Sequence, residues 1–191
     1  MRIFVAVPLP DGAREWVARV RDRLRTHDWP VRWVGDEALH LTVRFFGAMD
    51  QPDVVRLGHV LEQAARGVAP MWLEFGAPNA FPDHRRPRVL WLSVSGPREL
   101  ELLHERVERT AVEVGFPAER GPYRPHITLG RVRRGARLPA GVPAGLAPPD
   151  AGDDTPGCTA DRIVLYRSHP GPGGTRYEAL RTIPLEGVWV V

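Results

Sequence analysis

Two copies of one short pattern limit the folds open to this chain. Leu39-His40-Leu41-Thr42-Val43-Arg44-Phe45 is echoed by Pro125-His126-Ile127-Thr128-Leu129-Gly130-Arg131, 86 residues later in a chain of 191. In a β-strand, residues i and i+2 share a face. His40 and Thr42 therefore point one way while Leu41 and Val43 pack inward, and His126 and Thr128 stand in the same relation to Ile127 and Leu129. A repeat near half the chain length predicts two similar lobes, each presenting one His-x-Thr strand. If the lobes face one another, two imidazoles and two hydroxyls meet in a cleft.

The segments between the copies fix the class of fold. Residues 2–8, 32–34, 39–46, 71–76, 88–94, 123–132, 161–167 and 176–185 read as strands. Helices are expected after Asp11, Pro52 and Pro97, with apolar residues at helical spacing such as Trp16, Val20 and Leu24, and Gly115 ends the third. Many short strands with three helices predict an α+β protein of antiparallel sheets. We expect a single domain over 1–191: two pseudo-symmetric lobes, each an antiparallel sheet with helices on its outer face, around a central cleft. Residues 133–158, rich in Gly, Pro and Ala, read as a long loop, and 169–174 as a shorter one.

Composition narrows the chemistry. The net charge is +3 and all 26 basic residues are arginine. A coding bias toward arginine is the main explanation for the absence of lysine, but arginine still offers a planar fork suited to phosphate oxygens. Cys158 is the single cysteine, so no intrachain disulfide or thiolate cluster can form. No apolar stretch is long enough to span a bilayer, and the first residues lack the form of a signal peptide. A cytoplasmic monomer away from membranes is the expectation.

Eight Thr and seven His in this length would give roughly 0.3 His-x-Thr pairs by accident. Two are present, in matching contexts. The same spacing also suits two histidines that merely satisfy hydrogen bonds beside a sheet, so alternation alone does not decide between a site and a packing feature. The residue types suit acid–base chemistry: a hydrolysis needs a base for the attacking water and an acid for the departing oxygen. Imidazole, with a pKa of ~6.5, serves either role near neutrality. Thr hydroxyls can donate to non-bridging phosphate oxygens. No cluster of His, Asp or Glu has ligand spacing, so no metal or other cofactor is expected.

The chain also resembles the two-histidine phosphoesterases, and within them the RNA 2′,3′-cyclic phosphodiesterases formerly described as 2′-5′ RNA ligases. The likeness runs through Arg2-Ile3-Phe4-Val5-Ala6-Val7, Trp33-Val34, both His-x-Thr copies with their flanks, Arg88-Val89-Leu90-Trp91-Leu92, Leu165-Tyr166-Arg167-Ser168 and Tyr177. It departs at 133–158, where relatives usually carry a short helical stretch. The resemblance implies hydrolysis of RNA 2′,3′-cyclic phosphate ends to 2′-phosphates, with His40 as proton donor and His126 as proton acceptor. It also implies the capacity to form 2′-5′ bonds. RNA with a cyclic phosphate end, tRNA halves among the candidates, would be the partner. The alternatives are a phosphodiesterase for small cyclic nucleotides and a non-catalytic RNA-end binder.

Among the neighbours, Arg131 matches a basic family position, yet strict alternation places it opposite His126, where a salt bridge is equally expected. Arg44 falls on the His40 face if the strand stays regular. Trp33, Phe81 and Tyr123 can stack a base, with core packing the competing expectation. His84, in a run of arginines, reads as a solvent-exposed hairpin residue.

Overall fold

A computed structural model describes residues 2–119, 121–138, 156–171 and 174–187. Nine strands and three α-helices are formed by these residues: β1 (Arg2–Pro8), α1 (Asp11–Arg25), β2 (Val31–Trp33), β3 (His40–Ala48), α2 (Gln51–Ala65), β4 (Met71–Phe81), β5 (Val89–Ser95), α3 (Arg98–Glu113), β6 (His126–Val132), β7 (Gly157–Ala160), β8 (Arg162–Gly171) and β9 (Gly174–Pro184). The expected α+β, antiparallel class is what forms. Every strand pairing is antiparallel.

The strands run in the order β7-β4-β5-β6-β3-β1-β8-β9, which is palindromic in its parts about the junction of β6 and β3. On one side, β1 leads through α1 to its antiparallel neighbour β3; on the other, β5 leads through α3 to β6. The halves are interleaved rather than consecutive in sequence. After α2 the chain crosses to pair β4 with β5, and β8 returns to pair with β1. The two sheets expected of two lobes are thus halves of one sheet. They meet through one paired position, Leu41 opposite Ile127. Beyond it the edge of β6 is taken by β2, where Arg32 faces Arg131 and Trp33 faces Gly130.

Alternation explains the layers. Ile3, Val5 and Val7 of β1, Leu41 and Val43 of β3, and Ile127 and Leu129 of β6 join Val17, Leu57, Leu61, Leu103 and Val107 of the helices in one buried core. The helices therefore cover one face of the sheet, leaving the other to the polar display. Asp50 caps α2 by accepting the Asp53 N–H at 3.0 Å, with Pro52 in the first turn. Asp11 does not cap α1; it is the first helical residue and pairs with Arg14 at 2.6 Å.

The loop readings shift at their edges. Gly157 and Cys158, assigned to the 133–158 loop, lie in β7 against Leu73 and Glu74 of β4. Residues 139–155 of that loop lie outside the described residues. The expected break at 169–174 is narrower, because His169, Pro170 and Gly171 stay paired with Arg176, Thr175 and Gly174. No helix among the described residues is long and apolar enough to cross a membrane.

Candidate active site

The register around Leu41 and Ile127 assembles the site. In an antiparallel pair with 41 opposite 127, position 40 lies across from 128 and position 42 across from 126. All four side chains, His40, Thr42, His126 and Thr128, stand on the face opposite the core. Both imidazoles are held alike. His40 Nδ1–H donates to the carbonyl of Ala38 at 2.9 Å, and His126 Nδ1–H to that of Arg124 at 2.7 Å. A carbonyl only accepts, so each neutral ring carries its proton on Nδ1 and leaves Nε2 bare for the cleft. Thr42 Oγ1 lies 3.1 Å from His40 Nε2.

Aromatic rings wall both imidazoles. Phe4 packs at 4.9 Å from the His40 ring and Tyr177 meets it edge-on at 5.1 Å. His126 meets Phe81 at 5.2 Å and Trp91 at 5.7 Å, both edge-on. Burial lowers the His40 pKa to about 4, the Ala38 hydrogen bond opposing it and the charge of His126 adding to it. The His126 pKa is lowered as well, by burial first and by Arg131, against the hydrogen bond to Arg124. His40 thus feels the charge of His126, and His126 that of Arg131. Burial raises the Tyr166 and Tyr177 phenols, keeping them neutral.

Two cavities adjoin the histidines. One of about 730 Å³ is bounded by Ala38, Arg131, Trp33 and Tyr177. The other, of about 320 Å³, is lined by Thr42, Phe45, Phe81, Glu119, Tyr123 and His126. Among the described residues no three His, Cys, Asp or Glu side chains are grouped to hold a metal ion.

A pair of β-bulges relocates the predicted neighbours. In β3 the pairing steps from Thr42 opposite Ala6 to Arg44 opposite Val5, so one residue is skipped. In β6 it steps from Thr128 opposite Trp91 to Gly130 opposite Leu90. Each bulge follows its Thr directly and reverses the alternation beyond it. Arg44 consequently leaves the His40 face, where regular alternation would have put it. It is 1% exposed, with Nε 2.9 Å from the Glu108 carboxylate and Nη2–H donating to the Pro117 carbonyl at 2.6 Å. Phe45, which regular alternation would bury, is instead 54% exposed and packs on Phe4. Arg131 gains by the same device. It comes to the His126 side, and none of the ion pairs among the described residues includes it.

The aromatic expectations divide. Phe81 lies in the cleft, stacked on Trp91 at 4.6 Å, and Trp33 lines the larger cavity. Tyr123 borders the smaller cavity, but one ring face is covered by His104 at 4.1 Å and its hydroxyl donates to the Thr42 carbonyl at 3.3 Å. Packing accounts for that face, and it is not free for a base. Sequence reading gave no role to Phe4, Tyr166 or Tyr177, although all three lie in the stretches that carried the family resemblance.

Fold and site together define a two-histidine protein: a curled antiparallel sheet that brings a pair of His-x-Thr strands into one cleft. The chain belongs to the 2′-5′ RNA ligase superfamily, whose family model matches residues 9–172. It is similar to the RNA 2′,3′-cyclic phosphodiesterase of Methanothermobacter thermautotrophicus, with 36% identity over 133 residues covering 70% of this chain and 72% of the relative. The protein of that name from Bacillus subtilis is 31% identical over 87% of both chains. Among solved structures, TT0787 of Thermus thermophilus superposes with a TM-score of 0.78 at 28% identity, covering 98% of this chain and 99% of the other. Apo LigT of Escherichia coli gives 0.78 at 25% identity, covering 97% of each.

Proposed function

We propose that this protein hydrolyses RNA 2′,3′-cyclic phosphate ends to 2′-phosphates. The observation that carries the reading is the matched pair of imidazoles, each fixed through Nδ1 and presenting Nε2 on the face shared by Thr42 and Thr128. Several relatives bear the name RNA 2′,3′-cyclic phosphodiesterase, which supports the substrate class. Following the family resemblance, His126 Nε2 takes a proton from water as its oxygen attacks phosphorus. The P–O3′ bond breaks, and His40 Nε2–H delivers its proton to the departing O3′. The Thr hydroxyls donate to the non-bridging oxygens, where charge is held during transfer.

In the empty cleft His40 is neutral at pH 7, because burial holds its pKa at about 4. An anionic phosphate beside it favours the imidazolium and restores the acid. Substrate binding thus arms the proton donor. A 5′-hydroxyl in the place of water would form a 2′-5′ bond by the same two proton transfers.

Purified protein in EDTA, offered an oligonucleotide ending in a 2′,3′-cyclic phosphate, should yield a 2′-phosphate end. Binding without turnover would make it a non-catalytic end binder. Loss of turnover in EDTA that zinc or magnesium restores would contradict the two-histidine mechanism.

A further inference from the structure

Two charged side chains among the described residues are buried, Arg21 and Arg44. Glu108 and the Pro117 carbonyl account for Arg44. Arg21 lies on the apolar stripe of α1 with Val17, Val20 and Leu24 and is 6% exposed. Stability alone does not call for a cation there, because an apolar side chain of similar volume in place of a buried ion pair is often neutral or stabilising. What Arg21 holds is the segment that leads into His40. Its Nη1–H donates to the Val34 carbonyl at 2.7 Å and to the Asp36 carboxylate, while Nε–H and Nη2–H both donate to Asp22 Oδ1, at 3.0 and 2.9 Å. Asp36 opens the 3₁₀ turn Asp36–Ala38, closed by the Ala38 N–H on the Gly35 carbonyl at 2.9 Å and the Leu39 N–H on the Asp36 carbonyl at 3.1 Å. The carbonyl at the end of that turn, Ala38, is the one that takes the His40 Nδ1–H. At the other end of the segment the Val34 N–H donates to the Leu129 carbonyl of β6 at 2.9 Å. Residues 34–38 thus reach from the second His-x-Thr strand to the anchor of the first, and Arg21 ties that span to α1.

We infer that Arg21 is a positioning residue for His40: through Val34 and Asp36 it holds the Ala38 carbonyl where it keeps the imidazole in its Nδ1–H form, with Nε2 turned into the cleft. The inference rests on the cyclic-phosphate reading for its effect on turnover, whereas the tautomer belongs to the free protein. A carbonyl can only accept, so the ring beside it carries its proton on Nδ1. With the carbonyl displaced, the ring is free to take the other tautomer and donate from Nε2 to Thr42 Oγ1, 3.1 Å away. His126 is held separately, by the Arg124 carbonyl, and serves as the internal reference.

The test is Arg21→Met, which fills the space without the charge. Imidazole nitrogen chemical shifts of the free protein should show His40 as a mixture of tautomers while His126 keeps Nδ1–H. On an RNA with a 2′,3′-cyclic phosphate end, kcat should fall about 10- to 100-fold, the scale for a reacting group displaced by about 1 Å, with KM unchanged. The kcat/KM maximum should move to lower pH, because the Ala38 hydrogen bond raises the His40 pKa against burial. The titratable groups that face His40 are His126, Tyr166 and Tyr177, and the substitution touches none of them. Arg21→Lys, whose ammonium can reach the same oxygens, should recover most of kcat. An unchanged His40 tautomer or an unchanged kcat in the folded Met variant would overturn the inference, as would equal disturbance of both imidazoles. If Arg21→Met does not fold, Asp36→Ala replaces it with the same selective change expected at His40, and absence of that change overturns the inference. If the wild type opens no cyclic phosphate, the cyclic-phosphate reading itself fails, and the tautomer of His40 in the variant alone decides for or against Arg21.

Discussion

His40 sits among Phe4, Tyr166 and Tyr177, and that apolar wall is what drives its pKa to about 4. His126 is shifted in the same direction. An acid–base pair works when one member is protonated and the other is not, which holds between the two macroscopic constants of the pair. Both constants of the free protein lie below the ordinary imidazole value, so kcat/KM should be bell-shaped with its maximum on the acid side of pH ~6.5. A bound phosphate raises both constants, and the kcat profile should peak at higher pH. A kcat/KM maximum well above pH 7 would contradict the free-site electrostatics. Arg44 makes a second residue-scale case. Arg44→Met leaves Glu108 without its cation and frees the Pro117 carbonyl. We expect a loss of about 3 kcal/mol in denaturant unfolding, the low end for a broken buried pair because Glu108 keeps some water. A change below about 0.5 kcal/mol would show that the pair does not hold α3 to β3.

At the scale of elements, the bulges explain what sequence could and could not show. His40, Thr42, His126 and Thr128 were legible because regular alternation holds through the Thr of each copy. Arg44 and Arg131 were misplaced because alternation stops one residue later, and nothing in Val43-Arg44 announces a bulge. Gly130 was the available signal. An added Cβ there would come within 2.5 Å of Val31 Cγ1 and 3.0 Å of Trp33 Cε3, so the glycine admits β2 against β6. Gly130→Val should push β2 outward, at a cost of about 1–3 kcal/mol for overpacking, seen as a lower midpoint of urea unfolding. Unchanged stability would mean that β2 is not held as described. The strand β7 escaped notice for a different reason. It is short and contains Gly157, and only its pairing with β4 makes it a strand.

For the whole molecule, the repeat correctly predicted two related halves but not their interleaving. Crossing of β4 and return of β8 depend on which edges remain open once β3 and β6 have met, and no local pattern encodes that. The consequence is that neither half is a continuous piece of sequence. The cleft that holds the two histidines depends on one paired position, Leu41 with Ile127, supported by a core shared by all three helices. The halves should therefore unfold together, and the two histidines should act as one unit. The most direct measurement is a double-mutant cycle on cyclic-phosphate opening, with folding confirmed for every variant. His40→Ala and His126→Ala should each lower kcat/KM about 10²–10⁴-fold, and the double variant should be only a few-fold worse than either. Thr42→Ala and Thr128→Ala should cost less, since each removes one donor and leaves the proton transfers intact. Near-wild-type turnover in either single histidine variant, or fully multiplicative losses in the double, would contradict a single acid–base pair at this junction.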